Sequence, residues 1–514
     1  MRKPKLDQTR TPLLSALQAC AGRKDAPFYT PGHKRGRGVS PRMLELIGKV
    51  ALCADLPELP ELDHLFAAQG VIQDAQELAA DAFGSDRTWF LVNGSTCGVI
   101  AAILATCNPG EKIILPRNVH QSAISGLILS GAIPIFVTPE YDPVSDIAHS
   151  ITPAAVADAL EHHPDARAVM IVYPTYYGVC GDIAAIAQIA HQHGIPLLVD
   201  EAHGPHFAFH PDLPIAALVA EADLTVQSTH KVLSAITQAG MLHVQGDRID
   251  RDRLSKSLQI VQSTSPNYLL LASLDAARHQ MATQGKDLME QTLKLADEAR
   301  SRISQIPRLS ILSPNQAVTP GFTALDRTRL TVTVSDLGMT GCTADEILNQ
   351  QFCVVAELPS LQHLTFIISL GNTREDIEQL VQAFETLVEE QGTAETRRRG
   401  DAEKTQSSIF NLLRTDKVLQ SSILTPRAAC FAPTEILPIH QTINRISAEL
   451  VCPYPPGIPV LIPGEVISED AIAYLQYVLL AGGIISGCAD PNLKTLRVVI
   501  GKNRAMFNSG VQQD

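Results

Sequence analysis

The sequence predicts an α/β protein built on a mainly parallel sheet with helices on both faces. Three observations predict it. The chain has 514 residues, long enough for about two to four domains and a substantial core. Its composition, 45% hydrophobic and 18% charged with 33 prolines spread along the length, is that of a globular protein rather than a disordered one. From about residue 88 to 245, short β-branched or apolar runs alternate with longer helical stretches, the pattern of strand–helix–strand units.

The runs are Thr88–Val92, Lys112–Leu115, Ile133–Val137, Ala168–Tyr173, Pro196–Asp200, Asp223–Gln227 and Met241–Val244. Ligands of such sheets bind beyond the carboxyl ends of the strands. The segments to inspect are therefore Asn93–Gly98, Pro116–His120, Tyr173–Gly178, Asp200–Gly204 and Ser228–Lys231.

Residues 281–390 mix amphipathic helix with strand-like runs such as Leu330–Val334 and Leu364–Ser369, which suits a smaller α+β domain. From 391 to 408 there is no Val, Ile, Leu, Met or aromatic residue, so this stretch reads as a linker. Apolar character returns in 409–514, around the proline-rich CPYPPGIPVLIPGE, where proline forces turns and extended backbone. The expected organisation is 1–280, a large domain; 281–390, a small one; 391–408, a linker; and 409–514, a C-terminal α+β domain.

A formal charge of -13 argues against nucleic-acid binding, which needs clustered Lys and Arg, and mildly favours the approach of small cations. The ten cysteines show no CxxC or His-containing zinc spacing, so no structural metal is expected and the thiols suit a reducing compartment. The basic N-terminus lacks an apolar h-region, and no uninterrupted apolar run reaches about 18 residues. A cytoplasmic location is the expectation.

Four elements carry chemistry. Lys231 closes Ser228-Thr229-His230-Lys231 at a strand's carboxyl end, where partial burial would favour the neutral amine that condenses with an aldehyde. A surface loop lysine is the bland alternative. Asp200 ends the apolar run Leu197-Leu198-Val199; a carboxylate there could keep a pyridine nitrogen protonated, or merely cap a turn. Asn93-Gly94-Ser95-Thr96-Cys97-Gly98 follows a strand and opens an apolar helix, gathering hydroxyls and backbone N–H groups where a phosphate binds, although Asn-Gly-Ser also describes an ordinary turn. His120 could stack on a flat ring or simply be a hydrogen-bonded histidine. In conjunction they follow the order expected of fold-type I pyridoxal-phosphate (PLP) enzymes, the aspartate-aminotransferase-like class.

The segment STHKVLSAITQAGMLHV closely resembles the lysine-bearing stretch of the Orn/Lys/Arg decarboxylase family. FYTPGHKRG (28–36) and YPPGIPVLIPGE (454–465) resemble signatures of the same family near its two ends. The resemblance implies a PLP-dependent lyase acting on arginine, lysine or ornithine in polyamine metabolism. Lys231 would hold the cofactor, Asp200 would pair with its ring nitrogen and His120 would stack on the ring. Ser95, Thr96, Ser228 and His230 would contact the phosphate, and His203 would lie near the phenolate oxygen. Glu357 and Glu465 are candidates for the cationic end of the substrate, a solvated carboxylate being the ordinary reading of each.

With Lys231 this early, the chain resembles the short form that lacks the flavodoxin-like N-terminal wing. The resemblance further implies a homodimer with sites at the subunit interface, and 263–275 resembles a segment that reaches the neighbouring site. Rival expectations are another fold-type I activity, an aminotransferase or a lyase, and a non-catalytic homologue.

Overall fold

A computed structural model describes residues 6–394, 424–454 and 457–503. The chain divides into two compact units, Met1–Thr106 with Pro196–Gln291, and Cys107–Ile195 with Thr292–Asp514. All seven runs read from the sequence form strands, with ends moved by at most one residue: β1 Arg87–Leu91, β2 Lys112–Pro116, β3 Ile133–Val137, β4 Ala168–Val172, β5 Leu197–Asp200, β6 Leu224–Gln227 and β7 Gly240–Val244.

In the first unit the strand order is β1-β7-β6-β5. Strands β5 and β6 are parallel, with Asp200 opposite Val226, whereas β7 is antiparallel to both β1 and β6. In the second unit β4-β2-β3 are all parallel. The large-domain sheet is thus mainly parallel, and β7 is the exception.

Leu197, Leu198 and Val199 are all fully buried, as a run without alternation must be when helices cover both faces of a sheet. Helix α1, Gly94–Thr106, is apolar nearly all round and packs against that sheet. Gly98 permits the approach: a β-carbon there would lie 2.7 Å from Val226 Cγ1 and 2.8 Å from Leu91 Cδ1, closer than packed atoms tolerate. Any larger residue at 98 would push α1, and the serine at its start, off the sheet.

The second unit also carries an antiparallel sheet of Ser310–Ile311, Arg329–Thr333, His363–Ile367 and Leu358–Pro359. Its core unites Leu330, Val332, Leu364 and Phe366 with Val381 and Phe384 of the helix Arg374–Ala394. That helix continues into the stretch read as a linker, whose residues 395–408 lie outside the described ones. A last sheet, Thr434–Pro438, Thr495–Asn503 and Arg445–Ser447, shares a core of Leu461, Ile467, Leu475 and Val498 with helix Glu469–Leu480. Among the described residues no helix is long and apolar enough to cross a membrane.

Candidate active site

Strand β6 ends at Gln227, and a single helical turn, Thr229–Val232, places Lys231 beyond it. Leu224 and Val226 are fully buried, which pins the strand and hence the turn. The lysine is half-buried, with Nζ 2.9 Å from His203 Nε2. Asp200, at the parallel neighbour's end, is 6% exposed and accepts the Ala202 N–H at 3.2 Å. Burial pushes its carboxyl above the usual range, and the charge of Lys231 pulls it back down. Carboxylate and amine therefore act on one another electrostatically.

At the start of α1, Ser95 meets the same turn: Ser228 Oγ donates to Ser95 Oγ at 2.6 Å. Thr96, beside Ser95, is exposed. Thr229 Oγ1 is buried without a hydrogen-bond partner among the described residues. His230 donates from Nδ1 to Ala239 O at 2.9 Å, which fixes its ring and its tautomer. Ser95, Thr96, Asp200, His203, Ser228, His230 and Lys231 all belong to the first unit. They offer an amine, a buried carboxylate and converging hydroxyls at a helix start, the set that a phosphorylated pyridine aldehyde requires.

His120 belongs to the second unit. It caps α2, Gln121–Ser130: its Nδ1 accepts the Ser122 N–H at 3.2 Å and lies 2.8 Å from Ser122 Oγ. Glu357 and Glu465, also in that unit, have different surroundings. Glu357 is exposed, and its charge acts on buried Arg329. Glu465 corrects the expectation of a solvated carboxylate, because it is 3% exposed and its Oε2 accepts from Arg117 Nη2 at 3.0 Å and from Ile462 N at 2.9 Å. A desolvated carboxylate needs such a partner, and Arg117 supplies it.

One network escaped sequence reasoning. Glu201 points away from Asp200, as strand alternation requires, and accepts from Gln227 Nε2 at 2.7 Å and from Ala217 N at 2.8 Å. Gln227 Oε1 accepts in turn from His243 Nε2 at 3.1 Å, and His243 Nδ1 takes the Thr88 hydroxyl at 2.8 Å. Burial pushes Glu201 up to about 8 and His243 down to about 3. These side chains tie together the ends of β5 and β6, which carry Asp200 and Ser228. The available signal was a second acidic residue directly after Asp200.

Residues 11–328 match the model of the Orn/Lys/Arg decarboxylase major domain, and residues 415–486 that of the same family's C-terminal domain. The arginine decarboxylase of Bacillus subtilis is 39% identical over 494 residues, 96% of this chain and 99% of that one. The arginine decarboxylase of Halalkalibacterium halodurans is 39% identical over 492 residues, 96% and 98%. The inducible lysine decarboxylase of Escherichia coli is 24% identical over 553 residues, 91% and 76%. Among solved structures, the Francisella novicida lysine decarboxylase shares the fold with a TM-score of 0.78, at 22% identity over 95% of this chain and 79% of that one. The chain belongs to the Orn/Lys/Arg decarboxylase family and is a decarboxylase of basic amino acids.

Proposed function

We propose that the protein is a PLP-dependent arginine decarboxylase, releasing carbon dioxide and agmatine. The observation that carries the substrate is the 39% identity to arginine decarboxylases along nearly the full length of both chains, against 24% for the lysine decarboxylase. When bound, PLP supplies an electron sink for the pair released as the carboxylate leaves. Lys231 would provide the amine that holds the cofactor covalently. Asp200 would keep the ring nitrogen protonated by charge pairing. His203, 2.9 Å from Lys231 Nζ, can exchange a proton with that amine and would lie near the phenolate oxygen. Ser95, Thr96, Ser228 and His230 would bind the phosphate, and Thr229 Oγ1 adds a hydroxyl to the same turn. His120 would stack on the ring.

Glu357 is retained as a candidate for the distal cation. Glu465 is not, because Arg117 already engages it. The working assembly is a cytoplasmic homodimer in polyamine metabolism, with the domain limits 1–280, 281–390 and 409–514 as drawn from the sequence.

The test is kcat/KM for arginine, lysine and ornithine side by side, with carbon dioxide measured. Arginine should lead, and arginine should exceed citrulline by tenfold or more, which needs only about 1.4 kcal/mol. Equal rates on arginine and citrulline would remove the anionic pocket from this reading, and transamination without carbon dioxide would remove the decarboxylase.

A further inference from the structure

One guanidinium closes the segment 457–465 onto the end of β2. Arg117 Nη1 donates to Pro459 O at 2.7 Å, and Nη2 donates to Val460 O at 3.1 Å and to Glu465 Oε2 at 3.0 Å. The same Oε2 accepts the Ile462 N–H at 2.9 Å, so the carboxylate folds the segment while the guanidinium holds it. Both side chains are under 5% exposed, at 3% and 4%. Arg117 makes a fork of donors that a lysine could not reproduce.

The held segment is bonded to the residue after His120 and lies beside the imidazole. Gln121 N donates to Gly457 O at 3.2 Å. A β-carbon at Gly457 would lie 3.5 Å from His120 Nε2 and 3.6 Å from its Cδ2. Gly457 has φ +84°, a conformation that favours glycine. The imidazole is thus bonded at Nδ1 by Ser122 of its own helix, and its Nε2 edge faces the backbone at Gly457.

We propose that Arg117 and Glu465 are positioning residues that act through Gly457 to set the plane of the His120 imidazole. The C-terminal part of the chain then shapes the face that the ring presents. This rests on the reading of His120 as the stacking residue.

The experiment uses the full-length holoenzyme and follows the visible cofactor band, kcat and the melting temperature. Variants are His120→Ala, Gly457→Ala and Glu465→Gln, each single and the last two also combined with His120→Ala. His120→Ala should shift the band and lower kcat by tenfold or more. Gly457→Ala and Glu465→Gln should shift the band in the same direction and lower kcat severalfold, yet change neither band nor kcat by more than twofold once His120 is gone.

Breaking the clamp lowers the melting temperature in either case, so the band and the double variants decide: a clamp with a merely structural role leaves the band in place and multiplies its loss of kcat onto that of His120→Ala, and that pattern overturns the proposal. If His120→Ala itself leaves band and kcat within twofold, the stacking reading fails instead. Should Glu465→Gln not fold, Gly457→Ala decides alone, because a side chain at φ +84° strains the backbone beside His120 without uncovering a charge.

Discussion

Two of the opposite-charge pairs built on a buried carboxylate, Asp200 with Lys231 in one unit and Glu465 with Arg117 in the other, are partnered differently. Arg117 and Glu465 face fixed partners: two backbone carbonyls, one backbone N–H and each other. Asp200 and Lys231 interact through charge, and the amine contacts His203, a group that can give or take a proton. Burial alone therefore does not mark chemistry. The mark is a buried charge whose neighbours are titratable or are hydroxyls able to turn toward a ligand, as Ser95 and Ser228 are.

The sharpest way to break this comparison is Lys231→Ala. Turnover should fall by at least about a thousandfold, since covalent catalysis loses its nucleophile, and borohydride should no longer fix a PLP adduct to the chain. An adduct that survives in the variant would move the covalent role to another lysine.

The second pair should show itself in stability. Glu465→Ala strands the Arg117 guanidinium in a site only 3% exposed, at a cost of about 3–5 kcal/mol. Urea unfolding monitored by circular dichroism measures it. A loss below about 1 kcal/mol would mean that water reaches Arg117 and that the pair is no clamp.

Asp200→Asn separates charge from shape at the first pair. An amide can keep the hydrogen bond from Ala202 but cannot hold a ring proton by charge, so kcat should fall on the order of a hundredfold while cofactor binding persists. A near-normal kcat with normal cofactor content would leave Asp200 a purely structural residue.

The strands, the lysine turn and the helix-start hydroxyls were legible because local chemistry dictates them. Apolar or β-branched runs specify buried strands; Asp200 ends one directly, and Ser95 and Lys231 come within four residues after one. Strand β7 was legible as a strand but not as antiparallel, since direction depends on the path of the chain between strands and leaves no trace in a five-residue run. Arg117 was invisible as a clamp because its acceptors, Pro459, Val460 and Glu465, lie over three hundred residues downstream. The same distance explains why Glu465 looked like an ordinary solvated carboxylate. Glu201 has no separate signal beside Asp200, while the network it joins runs through Gln227 to His243 on two later strands.

The smallest expected effect concerns that last network, and its sign can be worked out. Glu201 is pushed up to about 8 by burial, against the lowering effect of its bonds from Gln227 and Ala217, while an unfolded glutamate titrates near about 4.3. The folded chain thus holds a proton that the unfolded chain has shed. This contribution to stability is full below about pH 4.3 and is lost as pH rises to about 8. His243 has the opposite sign: burial takes it down to about 3, against about 6.5 unfolded, so its contribution is present above about pH 6.5 and is lost as pH falls toward about 3. Between about pH 4.3 and 6.5 the two slopes oppose one another, and between about 6.5 and 8 only that of Glu201 remains. Urea midpoints across this upper window should fall with pH in the wild type, and the fall should flatten in Glu201→Gln, which has no proton to lose. The difference between the two curves cancels all other titrating groups that the substitution leaves untouched. A difference that stays level from about pH 6.5 to 8 would mean that Glu201 is already ionised when folded, held as a carboxylate by its two donors rather than as the neutral end of the chain that runs through Gln227 to His243.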